Sequence, residues 1–159
     1  MPSSLAPFAM VAAFAIGFPL FFAGVVYLVS RLSGWKSLAE RFPAAGPPQG
    51  EPCTWASARL RYIAGYNRSL IVHVSARGIH MQPMLLFRTG HEPVFIPWEA
   101  VEEVRERGLS LFPAVDVRIS GAGGSGPLSI AFHGHRVAET ILRYWSGRPA
   151  ANSVESDGR

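Results

Sequence analysis

The chain has 159 residues, with 15 lysines and arginines against 11 acidic residues and a net charge of +4 at pH 7. Its single cysteine, Cys53, excludes a domain held together by intramolecular disulfides. The basic balance does not indicate a nucleic-acid partner, because no strand motif interleaves aromatic and basic residues and no helix carries a basic stripe.

The N-terminal region is the most apolar part of the chain. No charged side chain occurs before Arg31, and Leu5–Val29 consists almost entirely of apolar and small residues. As a helix this run would reach roughly 37 Å, longer than a hydrocarbon core of about 30 Å. After a short N-terminal segment, residues 1–4, we predict a transmembrane helix over residues 5–30.

The charges around this span predict its orientation. Arg31, Lys36 and Arg41 follow the span, and no basic side chain precedes it. The positive-inside rule then places the N-terminus outside and the C-terminal domain in the cytoplasm. A cleaved secretory signal is the competing interpretation, because residues 13–15 read Ala-Phe-Ala, but there is no basic n-region and the apolar run continues past this point.

Two groups of residues on or just after the span are predicted to contact a second helix or the membrane interface. Small residues recur every four positions and form a stripe that a second helix could approach, so one hypothesis is a homodimer; the other is that such residues are common in membrane helices. The stripe consists of Ala9, Ala13 and Gly17. Aromatic and basic residues are predicted at the membrane interface, namely Tyr27, Arg31, Trp35, Lys36 and Arg41.

Two short segments separate the span from the remaining chain. Residues 31–42 place Trp35, Leu38 and Phe42 at helical spacing, which fits either an interfacial helix on the membrane or a helix packed on the domain. Residues 43–53 are rich in proline and glycine and are predicted to be a semi-extended linker.

Residues 54–146 have the pattern of a mainly-β domain. Apolar and polar residues alternate in short runs separated by turn signals, which predicts six or seven strands. The predicted runs are 56–63, 70–75, 79–87, 93–98, 109–120 and 128–132, and residues 99–107 fit a strand or a helix.

The last periodic element differs from the strands. Val137, Ile141, Leu142 and Trp145 recur at helical spacing and predict an amphipathic helix, followed by a disordered tail over 147–159. The expected fold is therefore an N-terminal transmembrane helix followed by a pleckstrin-homology-like domain of about seven strands and one C-terminal helix.

Three stretches carry a resemblance to known proteins. Residues 34–42, GWKSLAERF, directly follow the span; residues 77–79 read RGI, and residues 86–98 read LFRTGHEPVFIPW. Over residues 30 to 110 the chain resembles a family of uncharacterised bacterial single-pass membrane proteins. The resemblance implies an inner-membrane setting and a compact β domain, without an activity. Glu92 stands where that family more often has proline.

None of the sequence motifs associated with catalysis, cofactor binding or metal binding occurs in the context that it requires. The glycines of the 121–126 loop have dinucleotide-binding spacing, but Pro127 and an apolar strand follow where such a turn must open a helix. His133 and His135 lack a third ligand in the pattern, so no metal site is predicted. Neither the serines nor Cys53 has the setting of an activated nucleophile. We expect neither enzymatic activity nor a cofactor.

The distribution of charge is uneven. From Arg31 to His91, eight basic residues occur with two acidic ones, whereas residues 92–159 carry seven basic and nine acidic residues. A basic side chain near an anionic leaflet contributes about 1 kcal/mol to membrane binding. The membrane-proximal half of the domain is therefore the candidate for lipid contact.

Two functions fit these observations. In the first, the domain docks a protein partner through an exposed hairpin around Arg88, His91 and Glu92, or through the groove beside the C-terminal helix. In the second, it binds anionic lipid headgroups through Arg59, Arg61, Arg68 and Arg77.

Overall fold

The computed structural model describes residues 5–60, 64–108, 113–121 and 127–148. In these ranges two helices precede a seven-stranded sheet and a third helix follows it. The helices are α1 (Leu5–Leu32), α2 (Trp35–Arg41) and α3 (His135–Ser146). The strands are β1 (Glu51–Leu60), β2 (Ala64–Ser75), β3 (Gly78–Pro83), β4 (Val94–Pro97), β5 (Val101–Arg107), β6 (Ala114–Ile119) and β7 (Leu128–His133).

Helix α1 stands apart from the domain for most of its length. Its 28 residues reach about 42 Å, and it is the one described helix long and apolar enough to cross a membrane. It ends at Leu32, two residues beyond the predicted boundary. The small residues Ala9, Ala13 and Gly17 are exposed along it.

The sheet is antiparallel throughout, in the order β4-β3-β2-β1-β7-β6-β5. The first half of the meander therefore joins the second through the β1–β7 pair. Burial alternates as the sequence pattern predicts: Leu128, Ile130 and Phe132 of β7 are buried, and the residues between them are partly exposed.

The sheet bends along β1. Its register with β2 shifts on both sides of Ala56, and Trp55 has a φ of 60° with an exposed side chain. An extra residue in one strand bends that strand and increases its twist. The bend lets β1 pair with both halves of the sheet.

Helix α3 packs against the curved sheet. Val137 and Ile141 are buried among residues of the sheet, and the Trp98 and Trp145 rings lie 5.8 Å apart. The guanidinium of Arg148 lies 4.7 Å from the Trp145 ring centroid, so the first two residues of the predicted tail, 147 and 148, are packed on the domain. The predicted fold class is confirmed; residues 149–159 of the tail lie outside the described residues.

Two strand boundaries differ from the predictions, and one open alternative is decided in favour of a strand. β2 includes residues predicted as a turn, because Gly65 and Tyr66 pair with Arg59 and Ala58. β3 ends at Pro83, and residues predicted to extend it form a 3₁₀ turn at Leu85–Phe87. The ambiguous 99–107 segment completes a 3₁₀ turn at Ala100 and then forms β5.

The segment between the span and the sheet belongs to the domain. Trp35, Leu38 and Ala39 of α2 are buried in the same core as the strands, so the domain-packed alternative holds. Trp35 has no exposed surface, and its prediction as an interface residue is wrong. The apolar side chains at helical spacing are covered by protein.

The predicted linker is also part of the fold. Pro43 forms a bridge to Val94, and the Phe95 amide donates to the Phe42 carbonyl at 2.9 Å. This stretch covers the outer edge of β4. β1 begins at Glu51, so the last three residues of the predicted linker, 51–53, are strand.

Replacing Leu38 with alanine should lower the free energy of unfolding of the domain by about 2–5 kcal/mol, because it leaves a cavity in the core. The measurement is urea unfolding of the full chain in mild detergent, followed by the tryptophan signal. Ser37→Ala, at the exposed neighbour, is the control and should change stability little. Equal stability of the two variants would show that α2 is not part of the core.

Candidate functional site

The candidate site lies where helix α1 meets the domain. We call it the junction: the last turns of α1 from Tyr27, helix α2, and the 84–93 loop that connects β3 to β4. A two-residue turn, Ser33-Gly34, joins the two helices. Gly34 has a φ of 81°, a conformation that favours glycine, and it lets α2 begin two residues after α1 ends.

A chain of hydrogen bonds runs through the buried centre of the junction. The Ser33 and Tyr66 hydroxyls are 2.9 Å apart, and the Tyr66 hydroxyl is 2.9 Å from His91 Nε2. His91 Nδ1 lies 3.1 Å from the Thr89 carbonyl, which can only accept. The proton of a neutral His91 is therefore assigned to Nδ1, and Nε2 accepts from Tyr66.

Burial shifts the pKa of both ring side chains in this network, His91 and Tyr66. It lowers the pKa of His91, and the hydrogen bond to Thr89 offsets only part of the effect. It raises the pKa of Tyr66, partly offset by the hydrogen bond with Ser33. Both groups are thereby held neutral at physiological pH. His91 is 2 % exposed, so its prediction as an exposed docking residue is wrong.

Trp35 ties this network to the 84–93 loop. Its indole nitrogen donates to the Glu92 carbonyl at 2.8 Å. Its ring lies 5.2 Å from the Tyr66 ring and 5.4 Å from the His91 ring, measured between centroids. The three rings form one cluster that joins α2, β2 and the loop.

The same loop lies against α1. The Ser30 hydroxyl donates to the Gly90 carbonyl, and the rings of Phe22 and Phe87 have centroids 5.9 Å apart. A Cβ atom at Gly90 would lie 2.8 Å from the Tyr27 ring, so glycine allows this approach. The loop follows the last turns of the span back from residue 30 to residue 22.

A cleft of about 470 Å³ opens between these elements. Its lining includes three cationic side chains, Arg31, Lys36 and Arg88, and two carboxylates, Glu40 and Glu92. All five are exposed. Lys36 Nζ lies 3.6 Å from Glu40, and Arg31 Nε donates to the Tyr27 hydroxyl at 3.1 Å. The cleft is therefore lined by charges of both signs, with one more cation than carboxylates.

Of the arginines predicted to bind lipid, Arg77 lies apart from Arg59 and Arg68, which are close to Ser57 on the neighbouring strands β1 and β2. Arg59 lines another cleft beside Asp116 and His133, and Arg77 donates to Gln49 just beyond the end of β2. Arg68 lies seven residues before that strand end, about 23 Å along an extended chain. Arg61 is outside the described residues, and Arg41 lies beside Gly121.

Two further histidines contact each other across strands β2 and β3, with His80 buried and His73 partly buried. His73 and His80 are cross-strand partners with ring centroids 5.9 Å apart. Burial lowers the pKa of both, and His73 adds to the effect on His80. Among the described residues no group of three or more histidine, cysteine or acidic side chains is placed to hold a metal ion.

The junction shows what the sequence patterns did not reveal. Tyr66 occurs in a predicted turn, and Ser30 and Ser33 occur at or just after the predicted end of the membrane helix; their partners lie 25 to 60 residues away in sequence. The one available signal was the alternative that α2 packs on the domain.

The chain matches no protein-family model, no curated protein and no solved structure.

The lowered pKa values of three histidines predict a loss of stability in mild acid. An unfolded histidine takes up its proton near pH 6.5, whereas His73, His80 and His91 resist protonation in the fold. The unfolded state therefore binds more protons below about pH 6.5, and the free energy of unfolding should fall as the pH drops through that value.

Urea unfolding of the full chain in detergent at about pH 7.5 and about pH 5.5 measures this loss. His91→Gln should reduce the loss between the two pH values, and His73→Gln with His80→Gln should remove a further part. The difference between the two pH values is the readout, because each substitution also changes stability itself. A His91→Gln chain with the full wild-type loss would contradict the assignment.

Proposed function

We propose that this chain is a membrane-anchored binding module, with α1 in the bacterial inner membrane and the domain held in one orientation against the cytoplasmic face. The observation that carries the proposal is the burial of α2, because Trp35 and Leu38 have no exposed surface. The segment that leaves the span is itself part of the domain core. A flexible tether would let the domain turn freely above the bilayer; this connection does not.

The anchoring part of the proposal rests on the surface of α1. Phe8, Phe14, Leu20 and other large apolar side chains are more than half exposed along it. Such a surface is costly in water and stable in lipid. The orientation rests on Arg31, Lys36 and Arg41 at the domain end of the span. The inner membrane is the setting that the family resemblance implies.

A domain fixed in this way leaves its far end free for a partner. α3 ends there: Arg148 donates to the Trp98 carbonyl at 3.2 Å, and Trp98 donates to the Ser75 carbonyl at 2.9 Å, at the end of β2 away from the 84–93 loop. A groove of about 580 Å³ runs beside α3. We propose that it docks a protein partner.

The composition of this groove supports a protein as the occupant. Leu142 and Trp145 are partly buried and line it together with the exposed charges of Glu139 and Arg143. Aromatic residues and arginine are enriched at the centres of protein interfaces. The alternative docking site, the hairpin around His91, is packed against α1 and α2, which leaves the groove as the stronger candidate.

A photo-crosslinking amino acid at position 139 of the full chain should form an adduct with one protein in native membranes. The matched control is the same amino acid at Asn67, which is exposed on β2 and lies outside this groove. Leu142→Ser should weaken the adduct roughly tenfold, as expected for an interface residue worth about 1.4 kcal/mol.

Two results would contradict protein docking in the groove: no adduct at position 139, or an adduct equally strong at position 67 and unaffected by Leu142→Ser.

The second candidate function is anionic-lipid binding at the junction cleft, favoured by the three cations that border it. It predicts that Lys36→Gln with Arg88→Gln, but not Arg77→Gln, reduces co-purification of phosphatidylglycerol.

A further inference from the structure

We infer that the 3₁₀ turn Leu85–Phe87 is a second membrane contact, with Leu85 and Leu86 inserted into the leaflet from which α1 emerges. The inference rests on the anchoring proposed above and adds a contact that the domain itself makes with lipid. It is carried by two leucines whose exposure has no explanation within the protein.

The exposure of these leucines sets them apart. Leu85 is 83 % exposed and Leu86 is 69 % exposed. Among the described residues outside α1, the one other large apolar side chain with comparable exposure is Trp55. Two adjacent leucines on a tight turn present a compact apolar tip, which is costly in water and favourable in the acyl region.

The position of the turn indicates that lipid covers these two leucines. The next residue, Phe87, packs on Phe22 of α1 at 5.9 Å between ring centroids. Further along the loop, Gly90 accepts from Ser30. These contacts place the tip beside the apolar surface of the span. A lipid that surrounds α1 at this level must also surround the tip.

The depth can be derived from helix geometry. Phe22 lies nine residues before Arg31, or about 13 Å along the helix axis. The headgroup layer on one side of a bilayer is roughly 5–8 Å thick. With Arg31 at the outer edge of that layer, Phe22 lies about 5 Å or more inside the hydrocarbon boundary.

The charges of the junction agree with this depth. Arg88 directly follows the turn, and it lines the cleft together with Arg31 and Lys36. Cationic side chains at headgroup level above a buried apolar tip are typical of segments that insert shallowly into one leaflet. The domain is then held at two points, α1 and the turn, which fixes its tilt as well as its distance.

The test uses single cysteines in the full chain, labelled with the fluorophore NBD and reconstituted into vesicles of equal phosphatidylcholine and phosphatidylglycerol. Leu86→Cys reports the tip, Ala76→Cys reports the exposed turn at the far end of β2, and Leu20→Cys reports the span. Native Cys53 is 2 % exposed, and burial raises the pKa of its thiol, so the wild-type chain measures background labelling.

Quenching by spin-labelled acyl chains separates the outcomes. The label at position 86 should be quenched roughly threefold more than the label at position 76, because the quenchers lie inside the hydrocarbon core. Leu85→Cys gives an independent second reading, and unchanged thermal unfolding confirms that each variant folds.

Equal quenching at positions 86 and 76, with strong quenching at position 20, would overturn the inference and leave the anchoring intact. A position 86 label that is protected from water but not quenched would show a protein occupant and also overturn it. Absence of quenching at position 20 would overturn the proposed anchoring together with the inference.

Discussion

The burial of Trp35 and Leu38 in the domain core is the constraint on which the rest of the structure depends. Because α2 follows α1 after only two residues, the position of these side chains fixes the end of the span against the sheet. The 84–93 loop then packs on both helices, through Glu92 on Trp35 and Gly90 on Ser30. Helix α1 and the domain form one connected unit.

The buried polar groups make this connection specific. A leucine in place of Tyr66 or His91 could fill space, but it could not satisfy the hydrogen bonds that link Ser33, Tyr66, His91 and Thr89. In a fully bonded network each group depends on the position of the next, and an alternative packing would leave buried polar atoms without partners. A rigid connection of this kind is what the proposed function of a membrane-anchored module requires.

Some of this structure follows directly from sequence patterns. α1 is evident from composition, and the alternation in β7 and the helical spacing of Val137 and Ile141 each specify a face. These elements could be predicted because their signal is local. The bend at Trp55 has no such signal, because a residue with positive φ inside a strand is set by the pairing of β1 with its neighbours.

The junction could not be predicted for a physical reason. The spacing of Trp35, Leu38 and Phe42 requires an apolar partner, and lipid and protein satisfy it equally well. His91 occurs in a polar, turn-like context, and its burial depends on Tyr66, which lies 25 residues away. The separation of Arg59 and Arg77 likewise depends on the path of the strands and not on their count.

The central claim is a fixed orientation of the domain relative to α1. Pulsed electron paramagnetic resonance, which measures the distance between two spin labels, tests it most directly. One label replaces Val25 of α1 and the other replaces Ala76 on the β2–β3 turn, both exposed positions, in the full chain reconstituted into bilayers. A control pair at Thr54 and Ala76, both in the domain, gives the width of the distance distribution for two labels on one rigid body. The account predicts a single distance distribution for Val25 and Ala76 that is as narrow as this control; a broad distribution would contradict it.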